Sequence, residues 1–496
     1  MGAIRGHWLV LAAALLPAAV LAWHWRTMPY LGLYHDDAMY FATAKAVAEG
    51  GGYMMPSLPV EAAQTKYPPV WPMLLSVVWR VAPEFPANLV WAMGLIWALY
   101  AAAMVALWRL LEGETRLWVT VLSATLPAMV WAGVVLMSEI PFLLAVFVAL
   151  GLAERASDND SVKGIALAGL AGGLAYLTRT AALPLFIGVA LALTLRRQWR
   201  LGAVFCAAML PFMAGWHVWT AMQNQPGDAV LVWYTSYAGY HRADVAVSRY
   251  PAMMAVNFGM FLTEASRYVV LPGDFWPLRM LVSGVAIGGV VRLVGQGKLV
   301  MYGAFGLVYS LLLLMHNYAP NPRFLLPVAP LMVAGFLSFA GAVRLRTAWA
   351  GVLMLCVNVW GVAARVHPSL GADAERLQAA RPAMEWIKTN TEADARVLSY
   401  IDPVVWLHTG RRGASMRPYN HMVSYARDEK AVRRFFAEAP EIARRLGIEY
   451  ALRTPQDYML DAPEVTGPPW TGVLRGEDFE MRYEEAGGGV YQLKRR

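Results

Sequence analysis

Apolar runs long enough to cross a bilayer follow one another through the first three quarters of the chain, and this succession limits the fold more than any single motif does. In windows of about 19 residues the runs fall near 7–27, 87–111, 115–136, 140–154, 163–178, 181–196, 201–221, 277–295, 298–316, 324–343 and 347–364, which predicts roughly eleven transmembrane helices. With 58% hydrophobic and only 15% charged residues, the 496-residue chain belongs among polytopic membrane proteins. The first run could also be a signal peptide ending at Ala19-Val20-Leu21-Ala22, but its length and aromatic end favour a span. The formal charge of +8 comes from basic residues lying between the spans, with no long Lys/Arg tract, so nucleic acid is not an expected partner. Cys206 and Cys356 both lie within apolar runs and read as packing residues rather than a disulfide.

Charge sets the expected orientation. Arg155 with Lys163, Arg196 with Arg197 and Arg200, Arg292 with Lys298, and Arg344 with Arg346 each join two spans, and the positive-inside rule places these turns in the cytoplasm. Counting outward from them puts loops 28–86 and 222–276 and the tail outside. The same count gathers His35, Asp36, Asp37, Lys66, Tyr67, Glu139, Arg179, His316 and Arg323 on that outer face, although none of them entered the count.

The acid pair Asp36-Asp37 stands out, because two adjacent carboxylates beside a bilayer are costly and mark a functional position. Ala38 to Glu49 reads as a helix ended by Gly50-Gly51-Gly52, with Asp36 or Asp37 as its N-cap. Neighbouring helical side chains diverge by about 100°, so one carboxylate is expected to face the reaction while the other caps, orients or binds a cation. Thr65-Lys66-Tyr67-Pro68-Pro69 returns a cation on a proline-stiffened mount. Arg323, in Asn321-Pro322-Arg323-Phe324, offers a fork suited to phosphate. Each has a plainer reading: a dipole partner for Glu139, interfacial anchors for Lys66 and Arg323, a turn residue for Arg179, and hydrogen-bonding histidines for His35 and His316. No metal-ligand spacing, Walker loop or Ser-His-Asp order is found.

From about 366 the composition changes to balanced charge with few apolar runs, which predicts a separate soluble domain over 366–496. Helices are expected at Glu375 to Asn390, at Asp402 to His408 with Asp402 as cap, and at Asp428 to Leu446. Strands are expected at Arg396 to Tyr400, Tyr450 to Arg453 and Val490 to Leu493, giving a small α/β layer fold.

Taken together, Asp36-Asp37, the run to Gly50-Gly51-Gly52-Tyr53, Lys66-Tyr67-Pro68-Pro69, Met137-Ser138-Glu139-Ile140-Pro141 and Arg323-Phe324-Leu325-Leu326-Pro327 resemble the GT-C glycosyltransferases that use polyprenyl-phosphate sugars, in the branch of protein O-mannosyltransferases and lipid A aminoarabinose transferases. The likeness is most specific over 30–75. The tail resembles the extracytoplasmic domains of bacterial relatives through Glu385 to Thr391 and Thr409-Gly410-Arg411-Arg412. Many relatives carry Asp-Glu where this chain has Asp36-Asp37. The resemblance implies a mostly α, GT-C-type membrane domain over 1–365 in a bacterial inner membrane, with active site and tail periplasmic. It implies inverting transfer of a sugar from a polyprenyl-phosphate donor to a membrane-associated or periplasmic acceptor. Asp36 would be the general base with Asp37 beside it; Lys66, Arg323 and Arg179 would bind the donor phosphate; Glu139, His35, His316 and Tyr67 would position acceptor or cation. Because lipid phosphate leaves, no nucleotide metal clamp is required, and a divalent cation stays open. A lipid-linked sugar transporter would instead need ionisable groups reaching both faces, and a non-catalytic assembly subunit would tolerate loss of Asp36.

The orientation is directly testable. A cysteine at Gly371 should react with a membrane-impermeant thiol reagent in intact cells, whereas one at Gln198 should react only after permeabilisation. Labelling at Gln198 from outside would invert the topology.

Overall fold

The computed structural model describes residues 2–113, 115–223, 227–237, 247–268, 275–316, 320–342, 347–415, 430, 433, 436–455, 457, 469–485 and 487–494. Arg344 and Arg346, parts of loop 222–276 and parts of the first half of the expected helix 428–446 lie outside these; in its second half the helix is Ala439–Arg445. The chain forms two compact units. One comprises Met1–Arg26, Met93–Thr220 and Val247–Pro368, and the other Thr27–Ala92, Ala221–Ala246 and Ser369–Arg496.

The first unit is helical, as a chain that must satisfy every backbone polar group internally within lipid has to be. Among the described residues six helices are long and apolar enough to cross a membrane: His7–His24, Leu89–Leu110, Glu139–Asp158, Trp199–Met222, Trp276–Gly295 and the stretch Thr347–Asn390. Val162–Tyr176, Thr180–Leu195, Val300–Leu314 and Ala329–Ala342 are apolar but shorter, as is Val70–Val81 in the second unit. The expected span 115–136 is broken. Arg116–Thr125 stops at an extended Leu126, and Pro127–Ala132 resumes beyond it, because proline restricts the residue before it and cannot donate back into the turn. The carbonyl of Leu122 accepts instead from Asn358 Nδ2 at 3.1 Å, and that amide also reaches Thr125 Oγ1 at 3.2 Å. Cys356, read from sequence as a packing residue, is exposed on Thr347–Gly361, where an apolar helix face meets lipid rather than protein.

The second unit joins the tail to the two loops. Its sheet runs in the order β2-β1-β3-β5-β4, with β1 Val397–Leu398, β2 Gly413–Ala414, β3 Tyr450–Arg453, β4 Phe479–Glu485 and β5 Gly488–Leu493. β1 pairs in parallel with both β2 and β3, while β5 is antiparallel to β3 and β4. Helix His367–Asn390 buries Leu377, Ala380, Met384 and Ile387, spaced to share one face, and its core also holds Val397, Val404, Leu452 and Val490. Ala38, from the acid-pair helix, is fully buried in the same core. Gly413 N donates to Ser57 O at 2.8 Å, so the loop is also bonded to the β2 edge.

Trp276–Gly295 and Ala329–Ala342 approach at paired glycines. A Cβ on Gly289 would lie 1.8 Å from Gly335 O, and one on Gly335 would lie 2.2 Å from Ala286 O. Gly289→Val should therefore destabilise the fold by about 1–3 kcal/mol through overpacking, read as a lower thermal midpoint in detergent. An unchanged midpoint would show that the two helices can part freely.

Candidate active site

The acid pair opens helix Asp36–Ala48, and the two carboxylates have different surroundings. The N-cap is His35, not Asp36 or Asp37 as the sequence suggested; the pair fills the first two helical positions. The reason is backbone geometry. His35 sits at φ +58 and ψ −52, and Asp36 N donates to Tyr34 O at 2.6 Å across it. This is a γ-turn of the rare positive-φ hand, a conformation that costs about 1–3 kcal/mol and persists only where the surroundings enforce it.

Asp37 is buried, accepting from Gly32 N at 2.8 Å and Ala38 N at 2.9 Å. Gly32 is required there: its φ is +98, and a Cβ would strike Val404 Cγ2 at 1.7 Å. Burial pushes the Asp37 carboxyl up to about 6 against the pull of those two N–H groups. Asp36 is half-buried and accepts from Tyr67 Oη at 2.5 Å. One carboxylate is thus turned into the protein, and the other is left at the surface of the site.

Lys66 is buried, with Nζ 4.4 Å from the Trp233 ring centre, 5.2 Å from Tyr237 and 5.3 Å from Tyr67. Burial lowers its ammonium to about 8, with the Asp36 charge opposing the fall. The mount is fixed from several sides. Gln64 Oε1 accepts from the backbone N–H of Lys66 and of Tyr67, each at 3.1 Å, and Gln64 Nε2 donates to Thr43 of the acid-pair helix at 3.3 Å. Tyr53, which ends the glycine run, donates to Tyr67 O at 2.8 Å, and Thr65 Oγ1 donates to Thr235 O at 2.7 Å.

Behind the pair lies a cluster that sequence reasoning missed. His35 Nε2 lies 2.8 Å from Asp402 Oδ1, the same oxygen accepts from Tyr234 Oη at 2.8 Å, and Tyr234 Oη accepts from Ser415 N at 2.6 Å. All four residues are buried. Asp402 was expected only as a helix cap. It is instead the first residue of Asp402–Thr409, after N-cap Ile401, and its carboxylate serves side chains from two other segments. Burial raises its carboxyl, while His35 and Tyr234 oppose the rise. The signal available in sequence was the Trp233-Tyr234 pair in the second outer loop, which reads equally well as an interfacial belt.

The remaining candidates lie in the first unit. Glu139 is buried at the start of Glu139–Asp158, and Arg179 Nη1 meets its Oε1 at 2.8 Å while Arg323 Nε donates to the same oxygen. Arg179 Nη1 also donates to Ser138 Oγ at 3.0 Å. Asn321 caps the short turn Pro322–Leu325, accepting from Phe324 N at 3.2 Å and presenting Arg323. These three charges line a small pocket with Tyr309 and Phe324. His316 packs on Phe324 with ring centres 5.6 Å apart, and its carbonyl accepts from Asn257 Nδ2 at 2.7 Å. So the structure unites His35, Asp36, Asp37, Lys66 and Tyr67 in one unit, and Glu139, Arg179, His316 and Arg323 in the other. Among the described residues no three His, Cys, Asp or Glu side chains gather as a metal site.

No protein-family model matches the chain, and no curated protein matches it. In three dimensions it is similar to ArnT from Cupriavidus metallidurans. The apo structure of that protein matches with TM-score 0.53 and 13% identity over 99% of this chain and 98% of that one. The structure bound to undecaprenyl phosphate matches with TM-score 0.52 and 12% identity over 98% and 97%. At such identities the likeness is one of fold: this multi-pass membrane protein has an ArnT-like fold along its whole length, in keeping with the GT-C resemblance of its motifs.

The raised Asp37 carboxyl makes folding pH-dependent. Its folded value lies above the ordinary 3.8, so folding takes up a proton between about pH 4 and pH 6, and stability falls as pH rises through that window. The contribution is at most about 3 kcal/mol. Thermal midpoints of Asp37→Asn should show a flatter slope there than wild type; parallel profiles would remove Asp37 as the cause.

Proposed function

We propose that this protein is an inverting glycosyltransferase that moves a sugar from a polyprenyl-phosphate donor to an acceptor on the outer face of the bacterial inner membrane. The observation that carries this reading is the pairing of a half-buried carboxylate, Asp36, with a buried ammonium, Lys66, on one rigid mount. Support also comes from the fold shared with a protein solved with undecaprenyl phosphate. In this reading residues 1–365 form the catalytic membrane domain, loops 28–86 and 222–276 and residues 366–496 are periplasmic, and sugar and acceptor are left unnamed.

Asp36 takes the proton of the acceptor hydroxyl or amine as that atom attacks C1, and the bond from C1 to the phosphate oxygen breaks on the opposite face. General-base catalysis of this kind contributes about 10²–10⁴-fold. Tyr67 holds the Asp36 carboxylate in place. The departing lipid phosphate gains charge, so cations placed in advance stabilise the transition state more than the ground state. Lys66 supplies one; the resemblance of the motifs assigns Arg323 and Arg179 to the phosphate as well, and within their own unit Glu139 keeps the two guanidinium planes ordered. Asp37 holds the turn behind Asp36, and His35 and His316 act in positioning.

Asp36→Asn should abolish transfer while leaving affinity for undecaprenyl phosphate intact. Lys66→Ala and Arg323→Ala should weaken that affinity and slow chemistry as well. Because Lys66 loses its charge near pH 8, wild-type affinity should fall as pH rises through about 8, and Lys66→Arg should remove that dependence. Near-wild-type turnover by Asp36→Asn would end the general-base assignment.

A further inference from the structure

We propose that Asp402, carried by the C-terminal segment, is a positioning residue for the acid pair, acting through His35 on the γ-turn that starts the acid-pair helix. This rests on the transferase reading above and gives the tail a part in the reaction. The strained turn at His35 needs an anchor, since neither the turn nor the helix supplies a side-chain cap. That anchor is the 2.8 Å contact of His35 Nε2 with Asp402 Oδ1, deep in the unit where no solvent competes.

Asp402 is itself fixed twice over. Its helix begins against the tail core at Ile401, Val404 and Val405, and Val404 lies against Gly32, whose N–H holds Asp37. Tyr234 then ties the same carboxylate oxygen to Ser415 N, just past β2. A carboxylate that already accepts from Tyr234 accepts from His35 too, so the imidazole donates from Nε2. Among the described residues His35 Nδ1 and Asp402 Oδ2 are buried without a hydrogen-bond partner, and the contact between the two side chains is made through Oδ1. Release of it frees the residue directly before Asp36. A shift of about 1 Å in a reacting group lowers turnover by roughly 10²-fold.

The test uses the purified full-length protein with total membrane lipids, following release of undecaprenyl phosphate. Asp402→Ala should lower kcat by roughly 10²-fold with little change in affinity for added undecaprenyl phosphate. Asp402→Asn, which keeps an acceptor oxygen, should recover most of the loss, and Tyr234→Phe should fall between. If Asp402→Ala does not fold, the other two variants decide. In protein labelled with ¹⁵N-histidine, a slowly exchanging Nε2 proton of His35, assigned by its loss in His35→Gln, should be present in wild type and absent in Asp402→Ala. Wild-type turnover by Asp402→Ala, equal loss in Asp402→Asn and Asp402→Ala, or absence of that proton from wild type would each overturn the proposal. No release by wild type would instead overturn the transferase reading beneath it.

Discussion

Lipid offers a peptide group nothing to bond to, and the division of this molecule follows from that. Wherever the chain is in the membrane it is helical, and where a proline breaks the helix, as at Pro127, a side chain from elsewhere must take up the released carbonyl. Among the described residues the sheet lies in the second unit, while the first is helical with tight turns between its helices, as at Asp160, Arg197 and Leu299. Two segments of the second unit, Thr27–Ala92 and Ala221–Ala246, are short connections between apolar helices and could not bury enough surface to fold alone. The first gains a core by sharing that of the tail, with Ala38 packed among Leu377, Val397 and Leu452, and the second is tied to the tail where Tyr234 donates to Asp402.

That shared core explains how a dozen residues of loop can hold reactive groups still. Asp36, Lys66 and Tyr67 sit on a helix and a proline-stiffened strand of loop, tied by Gln64 and Tyr53. Isolated in water such ties would each be worth only about 1 kcal/mol. In a desolvated setting, with every partner itself restrained, they combine into one rigid body. The acid pair shows the same logic at the smallest scale. Two chemically identical carboxylates on adjacent residues are given different surroundings by burial and by their hydrogen-bond partners.

Much of this was legible in the sequence. The apolar runs located the helices because hydropathy reports the solvent directly, and the acid-pair helix, the lysine mount and three strands followed from local signals. What escaped is non-local. That His35 rather than an aspartate would cap its helix depends on a turn enforced by Asp402, 367 residues away. β4 and β2 were missed because one alternates charged residues on an open face and the other is two residues long. Of the eleven expected runs, that over 115–136 is interrupted at Leu126-Pro127, a break that a window average cannot see. Glu139, Arg179 and Arg323 looked like three separate helix-end charges, and only their convergence on one carboxylate oxygen makes them a cluster.

The second unit is assembled from pieces widely separated in the chain, and this has a consequence for biogenesis. Synthesis proceeds from the N-terminus, so the acid pair and Lys66 leave the ribosome well over three hundred residues before Asp402 and the sheet. Until then Ala38 lacks the core it packs into, Gly32 lacks Val404 and Tyr234 lacks Asp402, although Trp233 can already meet His35 and Lys66. The nascent chain is therefore inserted before its acid pair is anchored, and the core around Ala38 and the contact of His35 with Asp402 are completed only when the last quarter of the chain is made. A ribosome that stalls early leaves behind a fragment whose second unit lacks its sheet.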